Sequence, residues 1–250
     1  VQCGSHVMGW WWSGRTGLLL GRTDACSASC LVAANTPLAS AEGEQRLQRR
    51  RTDQWDRRVT SGYAQPALLV IDVQQGLDDP ALGVRNNPEA EANIARLLSA
   101  WRQEELPIVH VQHNSVEPNS PLRPELPGHA FKEEARPLPG EKHFTKTVNS
   151  AFIGTGLQDY LEEEGITSLV IVGLTTDHCV SASTRMAADL GFTAMLIADA
   201  TAAHGRVGYD GVTYSGEQIH RVNVVSLDGE FCRVLTSDEI LLEIATTGDG

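Results

Sequence analysis

The sequence predicts a three-layer α/β domain built on a doubly wound, mostly parallel, Rossmann-like sheet. Three observations predict it. The strand candidates are short runs dominated by apolar residues: "PALLVIDV" (66–73), "LPIVHVQH" (106–113), "TSLVIVG" (167–173) and "TAMLIAD" (193–199). Runs without regular polar alternation belong to strands buried on both faces. Segments of helical period stand between them, and strands alternating with helices imply a parallel sheet covered on both sides.

The regular pattern begins near residue 65. Residues 1–62 read as a weakly ordered N-terminal extension, and 63–250 as the α/β domain. The extension has three consecutive Trp, scattered Gly and Ser, and no sustained period. Its apolar stretch "GLLLG" is too short for a signal-peptide core and is closed by Arg22. "EGEQRLQRRRTDQWDRRVT" suits a short basic helix, and the lead-in as a whole reads as solvated rather than as a nucleic-acid arm.

After the first strand comes "NNPEAEANIARLLSAWRQEEL". Asn87 is the expected cap and Pro88 the first helical residue. Ile94, Leu97, Leu98 and Trp101 then form one apolar stripe. Residues 114–142, rich in Pro, Glu and Asn, read as a long loop, and a loop of that length points to substrate selection. "TGLQDYLEEEG" predicts a helix opened by a Thr-x-x-Gln capping box and closed by Gly165. "TDHCVSASTRMAADLG" is a helix ended by Gly191. "GEQIHRVNVVSLDGEF" is another, despite Val222, Val224 and Val225. "CRVLT" is a short strand, and Thr236-x-x-Glu239 caps a last helix.

The net charge of -12 disfavours nucleic acid or an acidic membrane surface as partner. Charge is uneven: residues 1–60 carry eight Arg against five acids, and the rest twelve Lys and Arg against twenty-seven acids. No apolar run approaches the roughly 20 residues of a membrane span. The five cysteines, 3, 26, 30, 179 and 232, are odd in number and irregularly spaced, which is no disulfide framework. A reducing, cytoplasmic setting fits them.

In such sheets the chemistry lies beyond the carboxyl ends of the strands. Three residues stand out there. Cys179 sits in a strand-to-helix turn, "GLTTDHCV", where helix N–H groups stabilise a thiolate and can bind an oxyanion. The plainer reading is a small buried hydrophobe. Asp72 ends the first apolar run, as a turn residue or as a general base. Lys146, one of only three lysines, is either a surface lysine or an ammonium that supports a thiol.

Together, "ALLVIDVQ" around Asp72, "KTVNSAF" from Lys146 to Phe152 and "GLTTDHCV" around Cys179 resemble the isochorismatase-like hydrolase superfamily, which includes nicotinamidase-related cysteine amidohydrolases. The order and spacing agree, and the resemblance covers about residues 65–245. Streptothricin hydrolase, which opens a lactam, has similar motifs. The resemblance implies a catalytic set of Cys179 as nucleophile, Asp72 as base and Lys146 as supporting cation. It also implies a cis peptide bond at Leu174–Thr175, and an oxyanion hole from the amides of Thr175 and Cys179. Asp177 would cap the helix, and His178 would be a structural or interface residue rather than the base. Gln74, His113 and Phe152 would line or support the substrate pocket. The expected reaction is hydrolysis of a small amide or lactam through a thioester; the alternative is vinyl-ether hydrolysis with Asp72 as acid.

Nicotinamidases carry an Asp-x-His metal motif after their second strand, where this sequence has "HVQHNS". His113 and Ser115 stand in place of those ligands. His110 and His113, three apart in a strand, point to opposite faces, and His129 completes no familiar set. No metal and no cofactor is therefore expected. The resemblance further implies a homodimer or homotetramer.

Overall fold

The computed structural model describes residues 65–247, so the expected N-terminal extension lies outside the described residues. Six strands form one sheet in the order β3-β2-β1-β4-β5-β8, with every neighbouring pair parallel. They are β1 (Ala67–Ile71), β2 (Ile108–His113), β3 (Lys142–Lys146), β4 (Ser168–Leu174), β5 (Thr193–Ala202) and β8 (Arg233–Leu235). A small antiparallel hairpin, β6 (Arg206–Val207) and β7 (Thr213–Tyr214), follows β5.

The helices are α1 (Ala90–Gln103), α2 (Leu157–Glu163), α3 (Ser181–Asp189), α4 (Gly216–Leu227) and α5 (Ser237–Thr247). Side chains alternate across each strand, and this sorts the core into two layers. Leu68, Val70, Val170 and Val172 pack with Ile94, Leu97, Leu98 and Trp101 of α1 and Ile240 of α5. Leu69, Ile71, Leu169 and Ile171 pack with Leu157 and Leu161 of α2, Ala187 of α3 and Leu227 of α4. The central strands are fully buried, as their unbroken apolar runs require, and each such Leu, Ile or Val contributes about 1.5–3 kcal/mol. Trp101 Nε1 donates to the Pro66 carbonyl at 2.9 Å, so its buried N–H is satisfied.

Strand order reverses between β1 and β4, and the crevice beyond their carboxyl ends is the natural ligand position in such a sheet. Gly173 lets these two strands close. Its φ is +124°, and a Cβ there would lie 2.0 Å from the Ile71 carbonyl oxygen. Gly173→Ala is expected to force β1 and β4 apart beside Asp72. It should cost on the order of 3 kcal/mol, measured by denaturant unfolding, and should lower turnover as well.

One strand was unannounced, and two local expectations are corrected. β3 had no apolar run to announce it; it is an edge strand whose residues are mostly exposed, so alternation and hydrophobicity carry little signal. α1 begins at Ala90, and Asn87 does not cap it through its side chain: φ is +42°, and the Asn87 amide donates to the carbonyls of Ala198 and Thr201. α2 has no Thr-x-x-Gln box, because Thr155 Oγ1 donates to Ala151 O and accepts from Leu157 N, while Gln158 pairs with Glu162. The caps on α4 (Ser215 with Gln218) and α5 (Thr236 with Glu239) are capping boxes.

A buried ion cluster holds the segment that follows β1. Glu91 of α1 accepts from Arg85 and Lys132, and Lys132 Nζ also reaches Asp78 at 2.5 Å. Burial alone would raise the Glu91 carboxyl, but Arg85 and Lys132 hold it at about 2. A carboxyl depressed below its unfolded value stabilises the fold above that unfolded value, near 4.5, and the contribution is lost as pH falls toward about 2. Glu91→Gln is expected to remove on the order of 2–3 kcal/mol of stability at pH 7 and to flatten the pH dependence of unfolding between about pH 5 and 2. Denaturant melts across that range check it.

Candidate active site

The carboxyl edge of the sheet brings four side chains to one point. Asp72 follows β1 with a left-handed backbone, φ +51°, and is 1% exposed. His113 ends β2 and Lys146 ends β3; the register pairs these two residues directly. Cys179 lies in a π-helical turn, Thr176–Val180, that leads from β4 into α3. The turn is tied down on both sides. Ser183 Oγ donates to the Cys179 carbonyl at 2.6 Å and accepts from Ala151 N at 2.9 Å, and Thr176 Oγ1 meets His220 Nδ1 of α4 at 2.9 Å. The Leu174–Thr175 peptide bond is cis.

Lys146 is the hub. Its Nζ lies 2.6 Å from Asp72 Oδ2, 2.8 Å from His113 Nδ1 and 3.2 Å from Cys179 Sγ. An ammonium has three protons, and here each has an acceptor. His113 Nδ1 therefore accepts, and the ring proton belongs on Nε2. Cys179 Sγ also stands 4.0 Å from His113 Nδ1 and donates to Asn149 Oδ1 at 3.7 Å. Asp72, His113 and Cys179 offer ligand atoms that all lie within 4.8 Å of one another, a grouping that could hold a metal ion. The Lys146 ammonium already occupies the cation position among them, and a metal would have to displace it.

A sequence profile described as the Isochorismatase domain matches residues 66–238. The chain belongs to the isochorismatase family. It is 43% identical over 181 residues to the isochorismatase family protein YrdC of Bacillus subtilis, covering 72% of this chain and 97% of that one. A solved isochorismatase-family structure from Chromobacterium violaceum superposes with a TM-score of 0.71 at 46% identity, over 73% of this chain and 94% of that one. Streptothricin hydrolase of Streptomyces noursei is 34% identical over 141 residues, 55% of this chain and 50% of that one. In this isochorismatase-family hydrolase Asp72, His113 and Cys179 gather as a triad-like group.

The electrostatics of the hydrolase's site favour a resting thiol. Burial, aided by the Asp72 charge and opposed by Lys146, pushes the Cys179 thiol up to about 12. Helix N–H groups and an ammonium were expected to yield a thiolate; desolvation outweighs them. Burial also raises Asp72, against the pull of Lys146 and its hydrogen bonds. A carboxyl so raised is a stronger base than an ordinary Asp. Burial, followed by Lys146, lowers His113 to about 4, so its ring is neutral.

A cavity of about 390 Å³ opens onto Cys179. Asp72, His113, Asn149 and Thr175 share its floor, Leu77, Ala81 and Leu82 form one wall, and His204, Gly205 and Arg206 another. The loop 114–142 contributes only Leu122, so the segments after β1 and β5, rather than that loop, shape most of the wall. Gln74 and Phe152 do not face the cavity. Gln74 is fully buried; it donates to the carbonyls of His113 and His129 and accepts from His113 N, so it positions His113. Phe152 stacks on Phe192 in the core.

Asp177 does not cap α3. Its Oδ2 pairs with Arg206 and lies 3.3 Å from His178 Nε2. His178 lines the cavity, and Arg206 donates to its Nε2 at 2.9 Å. His110 is buried against Glu141 at 2.8 Å and His129 meets Asn114 Oδ1 at 2.6 Å, so the three histidines 110, 113 and 129 do not converge. Sequence reasoning missed Asn149 and Arg206. Asn149 lies inside the "NSAF" stretch already singled out, whereas Arg206, in a two-residue strand, left no signal.

Proposed function

We propose that this chain is a cysteine amidohydrolase that cleaves the C–N bond of a small amide or lactam through a thioester. The observation that carries it is Lys146 Nζ bridging Asp72 Oδ2 and Cys179 Sγ at the floor of one cavity. Cys179 is the nucleophile, Asp72 the general base and Lys146 the cation that holds both. As the substrate carbonyl arrives, Asp72 takes the thiol proton and Sγ adds to the carbonyl carbon. The N–H groups of Thr175 and Cys179 receive the oxyanion. The C–N bond then breaks and Asp72 returns its proton to the leaving nitrogen. Water, deprotonated by Asp72, attacks the thioester, and that proton passes to the departing thiolate as the acid is released. His113, held neutral, packs against the ammonium and orients it.

No metal or cofactor enters these steps. We also propose that the chain works as a homodimer or homotetramer in the cytoplasm; no helix among the described residues is long and apolar enough to cross a membrane. Turnover of a panel of amides, lactams and carbamoyl compounds tests the reading. A substrate that turns over should leave an acyl group on Cys179, found by quenched-flow mass spectrometry. Turnover with an adduct on no cysteine would sink the thioester route.

The raised Asp72 carboxyl favours a second reading, vinyl-ether hydrolysis with Asp72 as proton donor. It needs no thiol, so turnover of isochorismate undiminished by Cys179→Ala would select it.

A further inference from the structure

The charges that meet at the cavity cancel within it. At the floor, Lys146 faces Asp72, and both side chains are at most 1% exposed. At the far wall, Arg206 faces Asp177, whose side chain is 6% exposed. The donors of Lys146 are all spoken for, and Arg206 gives its N–H groups to Asp177 and to His178. The remaining surface is largely apolar, with Leu77, Leu82, Leu122 and Leu174 prominent.

We propose that this cavity rejects anionic substrates and takes small amides or lactams that carry no carboxylate or phosphate group. The proposal rests on the amidohydrolase reading and narrows its substrate class. An anion entering here would lose its water and find no uncommitted cation on the cavity floor. Burial lowers His113, His178 and His204, so these rings add no charge at neutral pH. Asp177 and Arg206 are then specificity-determining residues: each masks the charge of the other. The pair also explains why a buried carboxylate sits two residues from the nucleophile without capping the helix.

Iodoacetamide and iodoacetate are a matched neutral and anionic pair that report on Cys179 without any hydrolytic turnover. The rate of modification at Cys179 is followed by peptide mass spectrometry, and the ratio of the two rates is divided by the same ratio for glutathione. The expected normalised preference for iodoacetamide is tenfold or more. Asp177→Asn, which unmasks Arg206, should lower that preference at least fivefold. Arg206→Gln, at a half-exposed position, should leave it the same or higher, and it keeps the test open if Asp177→Asn does not fold. A wild-type ratio equal to that of glutathione, or a preference for iodoacetate, would overturn the proposed rejection of anions and leave the thiol mechanism standing. So would an Asp177→Asn protein that folds with an unchanged ratio. Failure of both reagents at Cys179 would overturn the proposal and the thiol mechanism together.

Discussion

Lys146→Met is expected to lower the melting temperature and to abolish turnover, and both losses have one cause. The Lys146 side chain has no exposed surface and gives its three protons to Asp72, His113 and Cys179. Met fills similar volume without the charge. Asp72 would then be buried with no cation against it, and its Oδ1 has no hydrogen-bond partner even in the intact site. Stranding one member of a buried ion pair costs about 3–5 kcal/mol. The cost is capped here because Asp72, already raised by burial, can take up a proton. Adding Asp72→Asn removes the stranded charge. The double variant should therefore regain most of the lost stability by denaturant unfolding while remaining inactive. A Lys146→Met protein with unchanged stability and more than about a tenth of the turnover would show that the ammonium is neither hub nor catalyst.

Cys179→Ala should lower kcat by at least about a thousandfold on any amide the protein turns over. Asp72→Asn should do nearly as much, and the double variant little more, because the two residues act in one step. Cys232 is fully buried in the core and is likewise pushed up to about 12, mainly by burial, so its replacement by Ala should change stability and leave the pH profile alone. The pH profile separates Asp72 from a merely structural acid. Asp72 must be ionised to accept the thiol proton. Burial raises its pKa above the ordinary 3.8, so kcat/KM should fall as pH drops through that raised value. The rate is retained above it. A profile flat to pH 4, or an acid limb that persists in Asp72→Asn, would remove Asp72 from the role of base.

The three residues at the centre of the site were legible because each interrupts a strong pattern. Asp72 ends a buried strand, Cys179 opens a helix after another, and Lys146 is rare in an Arg-using chain. The strands themselves were legible because central parallel strands are buried on both faces and so read as apolar runs. β3 was not, since an edge strand with exposed polar residues has little pattern to show. The cap on α1 failed for a different reason: Asn87 has the chemistry of a cap, but the carbonyls of Ala198 and Thr201 compete for its amide and win. Asp177 is the same case, with Arg206 as the competitor.

The sequence by itself determined the layered α/β fold and the family, and it singled out Asp72, Lys146 and Cys179, because these follow from local periodicity and from motifs along the chain. Only the tertiary structure decided that Lys146 touches His113 as well as Asp72 and Cys179, that burial pushes the Cys179 thiol up, and that Asp177 pairs with Arg206. Those facts depend on strand register, on desolvation and on contacts between distant segments. Each is a balance struck in three dimensions, and no residue carries it alone.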